Sequence, residues 1–321
     1  MDGKTSLIIV DTDAGIDDAW ALLTLLSHQN KSNLEICGIT CVNGNTTVDN
    51  VCINVLRTLG AVNRLDIPVF KGAYRPIISP NEYTVPHCYF HGINGFGDTV
   101  FKEEVDLSLI QNENAVIALN RIVNGNKDNI TILCLGPLSN IALAIRTFST
   151  FEHNVKGIYF MGGNYQGVGN MSNSAEFNFW ADPEAAHIVL ESAIKTKIML
   201  PWEACTSLRF SLSWRDNILG KPSNAAIRLM NKVEENLRKR SSFKDWVPAD
   251  QIIAAYLINK NVVSQINLLY ATIELHGLHT RGQVVIGHKS KHQPNVHIIT
   301  AVHKENFEKV FLGIHDFKIQ T

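Results

Sequence analysis

The sequence predicts an α/β fold, in which one domain spanning residues 1–321 forms an open, mainly parallel sheet flanked by helices. Strand-like and helix-like stretches alternate along most of the chain, as crossover helices between parallel strands require. Several strand-like stretches are short, continuous apolar runs, as expected for strands buried on both faces. The 321 residues contain no sequence repeat, low-complexity segment or clear linker, which favours one domain over two.

The first two thirds of the chain divide into strands and helices. Residues 7–10 predict a buried strand, and the spacing of Trp20, Leu23 and Leu26 predicts the helix that follows. Apolar runs predict further strands at residues 35–42, 68–72, 130–135, 155–161 and 197–200. Helical spacing predicts helices up to residue 59 and at residues 112–124, 138–145 and 182–191. Asp182 caps the last of these helices, with proline at its first position.

The remaining segments complete the predicted topology. Helices are predicted at residues 222–240, at residues 248–259 and from Lys304, and strands near residues 270–275, 283–286 and 296–302. Residues 74–100 form a long loop rich in proline, glycine, histidine and aromatic residues, and such loops in compact domains are usually functional or disordered. The glycines of its segment 91–97, HGINGFG, predict a mobile lid.

Composition argues against several classes of protein. The net charge is −1 and lysine and arginine form no cluster, so we expect no nucleic-acid partner. No apolar run reaches the length of a membrane helix, and the apolar stretch near the start of the chain is too short for a signal peptide. The cysteines form no C-x-x-C pair and predict free, buried thiols in a reducing, cytoplasmic compartment, with only Cys88 exposed. They are Cys37, Cys41, Cys52, Cys88, Cys134 and Cys205.

The most informative stretch is residues 7–26, LIIVDTDAGIDDAWALLTLL. It holds four carboxylates within eight positions, Asp11, Asp13, Asp17 and Asp18. Gly15 lies among them, where a tight backbone path suits a residue without a Cβ. The aspartates follow an apolar strand directly, which places them at the carboxyl end of a strand, where open α/β sheets bind ligands.

Four neighbouring carboxylates repel one another unless a cation, protons or water surround them. The chain has 29 basic and 30 acidic residues, so this acidity is local. A solvated turn with an acidic helix cap explains one or two aspartates, since negative charge is favourable in the first helical turn. For four aspartates, a divalent cation with oxygen ligands, Ca²⁺ or Mg²⁺, is the stronger interpretation.

Three motifs compete for this stretch. An EF-hand loop needs glycine at its sixth position and glutamate at its twelfth, where this chain has Ile16 and Leu22. An aspartyl phosphatase would use Asp11 as nucleophile but does not need Asp17 and Asp18. The pattern D-x-D-x-G-x-D-D before an apolar helix closely resembles the signature of the calcium-dependent, inosine-uridine preferring nucleoside hydrolases.

This resemblance extends over most of the chain. Residues 42–45, VNGN, resemble the motif whose asparagine contacts ribose, here Asn45. Residues 135–140, LGPLSN, are similar to the segment that gives a backbone carbonyl to calcium, here from Leu135. Residues 248–250, PAD, occupy the place of the motif whose aspartate completes the metal site.

The substrate segment of the family, N-x-x-x-x-A-E-F-N, also has a counterpart here. Residues 170–178 match it, which implies ribose contacts for Asn170, Glu176 and Asn178 with Met161 close by. A cluster of amides and acids that both donate and accept hydrogen bonds suits a polyhydroxylated ligand. The resemblance therefore implies a Rossmann-like nucleoside hydrolase fold with a ribonucleoside as substrate.

The implied activity is hydrolysis of the N-glycosidic bond, giving ribose and a free purine or pyrimidine base for salvage. The resemblance further implies a homodimer or homotetramer. It implies Ca²⁺ as cofactor, Asp13 as acceptor of the water proton and Asp17 as a ribose ligand. The implied calcium ligands are Asp13, Asp18, Asp250 and the carbonyl of Leu135.

One position departs from the family pattern. Relatives place a histidine or a tryptophan directly before the late aspartate, and this chain has Ala249 there. We expect His91 in the lid to act instead as the acid that protonates the leaving base, with Trp246 or Trp202 stacking on that base. Two alternatives stay open, a non-catalytic nucleoside- or ribose-binding protein and an aspartyl phosphatase that uses Asp11.

Overall fold

The computed structural model describes residues 5–79, 90–239, 244–289 and 291–317. The strands of these residues are β1 (Ser6–Thr12), β2 (Leu34–Cys41), β3 (Val69–Lys71), β4 (Ile110–Gln111), β5 (Ile130–Cys134), β6 (Gly157–Met161), β7 (Lys197–Leu200), β8 (Phe210–Ser211), β9 (Asp245–Trp246), β10 (Val263–Leu269), β11 (Ala271–Ile273), β12 (Val284–Ile286) and β13 (Val296–Val302). The helices are α1 (Ile16–Ser32), α2 (Val48–Ala61), α3 (Ala115–Gly125), α4 (Ser139–Thr147), α5 (Phe151–Asn154), α6 (Phe177–Ala181), α7 (Pro183–Glu191), α8 (Trp202–Thr206), α9 (Leu212–Trp214), α10 (Ala225–Val233), α11 (Glu235–Arg238), α12 (Asp250–Ile258) and α13 (Lys304–Phe311).

Nine strands of the described residues form the main sheet, in the order β10-β13-β7-β6-β5-β1-β2-β3-β4. Only β10 runs antiparallel to its neighbour among these strands, and two small antiparallel sheets pair β11 with β12 and β8 with β9. The predicted mainly parallel α/β sheet is therefore confirmed. Strand order reverses beside β1, which pairs with β2 on one side and β5 on the other. Such a reversal opens a crevice at the carboxyl ends of the strands, where ligands bind in this class of fold.

Helices cover both faces of the sheet, which explains the apolar run that begins β1. Ile8 and Val10 pack into one buried cluster with Trp20 of α1, and Ile9 packs into a second cluster with Ile141 of α4. Successive strand residues point to opposite faces, so a strand covered on both sides needs apolar residues throughout. The core thus holds β1 rigidly, and its carboxyl end carries the aspartates into the crevice.

Several predicted elements match the structure closely. Strands β7 and β13 and the start of α13 lie where the sequence predicts them, and α7 begins at Pro183. Asp182 caps α7 by accepting a hydrogen bond from the backbone N–H of Ala185 at 3.0 Å. Because a proline lacks the N–H that a first helical turn leaves unpaired, it fits at this position without loss.

Other predictions differ from the structure. The predicted helix at residues 222–240 is two helices, α10 and α11, which meet at the buried Glu234. Strand β10 was not predicted, because it lies at the sheet edge and its VSQINLL sequence mixes polar with apolar residues. The predicted strand at residues 270–275 contributes only β11, outside the main sheet. Short helices α6 and α8 were missed because five residues give too little periodicity to detect.

The lid segment forms an ordered turn against α1 in the part of the loop that the structure describes. Gly92, Gly95 and Gly97 have φ values of 76°, 79° and 65°, which disfavour other residues. Asn94 accepts hydrogen bonds from two backbone N–H groups of the same turn, and Phe96 is fully buried. These contacts describe one packed conformation, so mobility of the lid stays a prediction.

Cysteine burial and membrane character were also predicted from the sequence. Cys41, Cys52, Cys134 and Cys205 are free and buried, and Cys37 is partly buried. Cys88, the cysteine predicted to be exposed, lies outside the described residues. Within the described ranges, the structure contains no helix with the length and apolar character that crossing a bilayer demands.

Candidate active site

A cavity of about 520 Å³ opens at the carboxyl ends of the central strands. Nine of the predicted site residues line it: Asp17, Asn45, His91, Leu135, Met161, Asn170, Glu176, Asn178 and Asp250. Asp13 and Asp18 are buried beside these residues, as the contacts below establish. Strand-end segments distant in sequence therefore converge on one site, as the parallel topology requires.

The turn between β1 and α1 is built around Asp18. Its Oδ1 accepts a hydrogen bond from the Thr12 hydroxyl at 2.5 Å, and its Oδ2 accepts one from the Gly15 N–H at 2.9 Å. A carboxylate in the first turn of a helix also interacts favourably with the helix dipole. Asp18 is thus a cap of α1 and, at the same time, a member of the acidic cluster.

Gly15 is required for space and not for an unusual backbone conformation. Its φ is −73°, and the residue with a left-handed conformation is Ala14, with φ of 41°. A Cβ at Gly15 would lie 2.5 Å from Asn45 Nδ2 and 2.8 Å from His91 Nδ1. The glycine therefore lets two predicted site residues approach the turn.

Asp13 is fully buried and has one oxygen available for chemistry. Its Oδ2 accepts a hydrogen bond from the Asn45 N–H at 2.7 Å, and a Cβ at Gly44 would overlap this carboxylate. Its Oδ1 has no hydrogen-bond partner among the described residues. Burial, and then the charge of Asp18, raise the pKa of Asp13 well above its usual value. A carboxylate of this kind accepts protons more readily than an exposed aspartate.

Asp17, Asp18 and Asp250 form the acidic cluster, with one oxygen of each within 4.8 Å of the others. Within the described chain, Oδ1 of Asp17 and Oδ1 of Asp250 are buried without a hydrogen bond. Burial raises the pKa of Asp17 to about 6, and burial and the neighbouring aspartates raise that of Asp250 well above its usual value. Without a cation, burial and mutual repulsion make the ionised form of these carboxylates unfavourable. A cation bound among them would offset this unfavourable free energy.

The donor set fits a hard divalent cation. The carbonyl oxygen of Leu135 accepts one hydrogen bond, from Asn178 Nδ2 at 2.9 Å, and a carbonyl has a second lone pair to offer. Carboxylate and carbonyl oxygens are the ligands that Ca²⁺ prefers. The predicted ligands Asp18 and Asp250 belong to the acidic cluster, whereas Asp13 does not, and the third member of the cluster is Asp17.

Amide and acid side chains after β6 form the wall beside the acidic cluster. Glu176 caps α6, with Oε1 accepting from the Asn178 N–H at 2.9 Å and Oε2 accepting from the Gly163 N–H at 2.7 Å. Asn170 Oδ1 accepts a hydrogen bond from the Phe177 N–H at 2.8 Å. This bond does not use the donors of the Asn170 NH₂ group. Burial raises the pKa of Glu176 to about 7 despite these hydrogen bonds. The wall is held rigidly by its own backbone.

Asp11 supports the site from behind and does not line the cavity formed by the described residues. Its Oδ1 accepts hydrogen bonds from the Thr40 hydroxyl at 2.5 Å and from Asn140 Nδ2 at 2.8 Å. It therefore ties the end of β1 to β2 and α4. The hydrogen bonds of its Oδ1 give Asp11 a structural role at the base of the site.

His91 reaches the cavity from the lid turn with a defined ring orientation. Its Nδ1 accepts a hydrogen bond from the Ile16 N–H at 3.0 Å, and its Nε2 lies 3.6 Å from Asp17 Oδ1. A backbone N–H can only donate, so Nδ1 must be unprotonated while this bond exists. A histidine that acts as a general acid starts with protons on both nitrogens. This geometry favours a neutral ring whose Nε2 faces Asp17 at a distance beyond that of a hydrogen bond.

Trp246 lies away from the cavity, which departs from the predicted substrate contact. Its side chain is buried and stacks on Phe311 at 5.4 Å between ring centroids, and its Nε1 donates to Glu234 at 3.2 Å. It belongs to an aromatic core beneath β8 and β9, because its ring points inward from β9. Trp202, the other predicted stacking residue, does line the cavity.

Seven further lining residues were not predicted from the sequence. They are Phe90, Met171, Phe177, Arg209, Lys244, Asp245 and Val247. Most lie in short or irregular segments, where periodicity gives no signal. The one available clue was their position, because Lys244, Asp245 and Val247 directly precede the late motif that ends in Asp250.

Comparison with known proteins identifies the family to which this chain is similar. The profile of the family described as "Inosine-uridine preferring nucleoside hydrolase" matches residues 8–309. The protein of that name from Leishmania major is 29% identical over 311 residues, which cover 96% of this chain and 96% of the relative. Uridine nucleosidase 1 of Arabidopsis thaliana is 36% identical over 192 residues, covering 59% of this chain and 54% of the relative.

A solved structure of a nucleoside hydrolase is similar to this chain in its fold. The structure titled "Inosine-Guanosine Nucleoside Hydrolase (IG-NH)" matches with a TM-score of 0.88 at 27% sequence identity, covering 97% of this chain and 99% of that chain. The family profile spans nearly the whole sequence, and the acidic turn after β1 lies within it. The chain therefore belongs to the inosine-uridine preferring nucleoside hydrolase family.

Proposed function

We propose that this protein is a Ca²⁺-dependent ribonucleoside hydrolase, which uses water to cleave a nucleoside into ribose and a free purine or pyrimidine base. The observation that carries the proposal is the juxtaposition of unpaired, buried carboxylate oxygens with an amide-rich wall in one cavity. A polyhydroxylated sugar needs such donors and acceptors, and a divalent cation needs such carboxylates. Family membership supports the same activity.

The ligands proposed for Ca²⁺ are Asp13, Asp18, Asp250 and the carbonyl of Leu135, and Asp17 belongs to the acidic cluster with two of them. When bound, the ion would supply a site for ribose hydroxyls and lower the pKa of the attacking water. The unpaired Oδ1 atoms of Asp13 and Asp250 support this arrangement.

The chain's own groups account for binding and for proton transfer. Asp13 takes the proton of the attacking water, since its Oδ1 is unpaired and its pKa is raised by burial. Asp17, Asn45 and Asn178 hold the ribose hydroxyls. Asn170 and Glu176 hold the 5′ side of the sugar, with Met161 close by.

The electrostatic character of the cavity suits the transition state. Cleavage of the glycosidic bond develops positive charge on the ribose ring, as in glycoside hydrolysis generally. Carboxylate and amide oxygens that are already fixed in place stabilise such charge without reorganisation. We place this activity in the cytoplasm and in nucleoside salvage. The chain, a single domain, acts as one subunit of a homodimer or homotetramer.

A substrate panel tests the proposal. The purified protein should release ribose from at least one of inosine, uridine, guanosine and cytidine, measured as reducing sugar, and no phosphate from p-nitrophenyl phosphate. Binding of a nucleoside without any ribose release would favour the non-catalytic alternative. Release of phosphate instead of ribose would favour the phosphatase.

Replacement of His91 distinguishes a positioning role from the acid role predicted by the sequence. His91→Ala loses the bond to the Ile16 N–H and the contact near Asp17, so both uridine and p-nitrophenyl riboside should slow by similar factors. A misplaced positioning group can cost ~10²-fold in rate. The exposed His153 provides a matched control, and His153→Ala should leave both rates unchanged. A loss confined to uridine, whose base is the poorer leaving group, would restore the acid role.

A further inference from the structure

The cavity has two chemically different halves. The first half consists of the acidic cluster and the amide wall. The second half is aromatic, aliphatic and charged, and it consists of Phe90, Trp202, Val247, Arg209, Lys244 and Asp245. A nucleoside is divided in the same way, into a polyhydroxylated sugar and a flat heterocycle. The second half of the cavity therefore suits the base.

Sequence position and strand pairing connect the cationic residues with the segment that precedes Asp250. Ala249 and Val247 line the cavity immediately before Asp250, so this segment leads from the acidic cluster to the cavity rim. Lys244 begins the segment, and β9 pairs antiparallel with β8, which follows Arg209 directly. The buried Trp246 anchors this pair of strands in the aromatic core.

Arg209 is held in one orientation although its side chain is 58% exposed. Its Nε donates to the carbonyl of Thr206 at 3.2 Å, and its Nη1 donates to Asp245 Oδ2 at 3.4 Å. Nη2 donates no hydrogen bond to another described residue. A guanidinium held at two nitrogens presents its remaining donors in a fixed direction, and it keeps its charge at any working pH.

We propose that Arg209 binds the departing base and stabilises the negative charge that the base acquires, a role that Ala249 cannot fill. This inference rests on the proposed function. In the reaction, the C1′–N bond breaks and its electron pair moves to the base, while the water oxygen bonds to C1′ and its proton passes to Asp13. The base leaves as an anion beside Arg209 and then takes a proton from solvent.

A guanidinium suits this role for chemical reasons. It offers only donors, and the departing base offers a ring nitrogen and carbonyl oxygens as acceptors. The exposed partner Asp245 reduces the net charge little, since solvent screens such surface pairs. Lys244 lies on the same rim and adds a second, more mobile positive charge.

The test compares leaving groups in the whole enzyme. Arg209→Met should lower kcat/KM for uridine at least about tenfold, less than the ~10²-fold or more lost with a buried oxyanion-hole donor, because Arg209 is partly exposed. p-Nitrophenolate is a stable anion and needs little help, so p-nitrophenyl riboside should slow much less. Arg209→Lys keeps the charge and should recover most of the uridine rate. Inhibition by free uracil should weaken in Arg209→Met.

Controls separate this inference from the proposed function and from loss of folding. Arg146→Met changes an exposed arginine on α4 that does not line the cavity of the described residues, and it should alter neither rate. Equal losses on both substrates, or an unchanged uridine rate in Arg209→Met, would overturn the role of Arg209. Absence of ribose release from every nucleoside by the wild-type enzyme would instead overturn the proposed function.

Discussion

Replacement of Asp13 by asparagine is expected to lower kcat on nucleosides by at least ~10²-fold, the lower bound for a positioned general base. The amide keeps the size of the carboxylate and can still accept the hydrogen bond from the Asn45 N–H. It cannot take a proton from the attacking water. The loss should therefore appear in kcat more than in KM, because binding of ribose uses other residues.

Two measurements distinguish loss of the general base from loss of calcium or of a buried charge. Calcium content must be measured alongside the rate, because Asp13 is also a proposed metal ligand. Asp182→Asn removes the charge of another buried aspartate, which caps α7 and does not line the cavity of the described residues, and it should retain kcat. An Asp13→Asn enzyme that holds calcium and turns over at the wild-type rate would assign the base role to another group.

The fold and half of the site follow from local sequence patterns. The apolar run of β1 ends where the aspartates begin, and topology then requires that the other strand ends meet them. The segments that carry Asn45 and Leu135 follow parallel strands and so lie at the same edge of the sheet as the aspartates, and the resemblance to the family implies one site for these residues and Asn178. Strand order in a parallel α/β sheet is strongly constrained.

The leaving-group half of the site could not be predicted because it depends on long-range packing. Trp246 carries a ring that suits stacking on a base, but the aromatic core under β9 and the hydrogen bond to Glu234 draw it inward. His91 lines the cavity and its Nδ1 accepts from the Ile16 N–H, so its role as an acid stays a prediction. Neither contact has a local sequence signal, since each joins residues at least 12 positions apart.

Replacement of Asp250 by alanine should remove calcium and activity together. Asp250 is buried at the first turn of α12, and its unpaired Oδ1 lies in the acidic cluster. Its loss leaves too few oxygen ligands for tight binding of a hard cation. We expect the wild-type protein to contain about one tightly held Ca²⁺ per chain, and the variant to contain none by elemental analysis and to release no measurable ribose.

Thermal unfolding gives a readout that does not depend on activity. Calcium at a hundredfold excess over its Kd should stabilise the wild-type protein by about 2.7 kcal/mol and raise Tm by about 5 °C, whereas Asp250→Ala should not respond. After chelation the variant should be no less stable than the wild-type protein, because it lacks a buried carboxylate that its neighbours repel. Asp182→Ala, which removes a buried helix cap, should lower Tm but keep the response to calcium. A metal-free wild-type enzyme with full turnover would refute the calcium site, whatever the variants do.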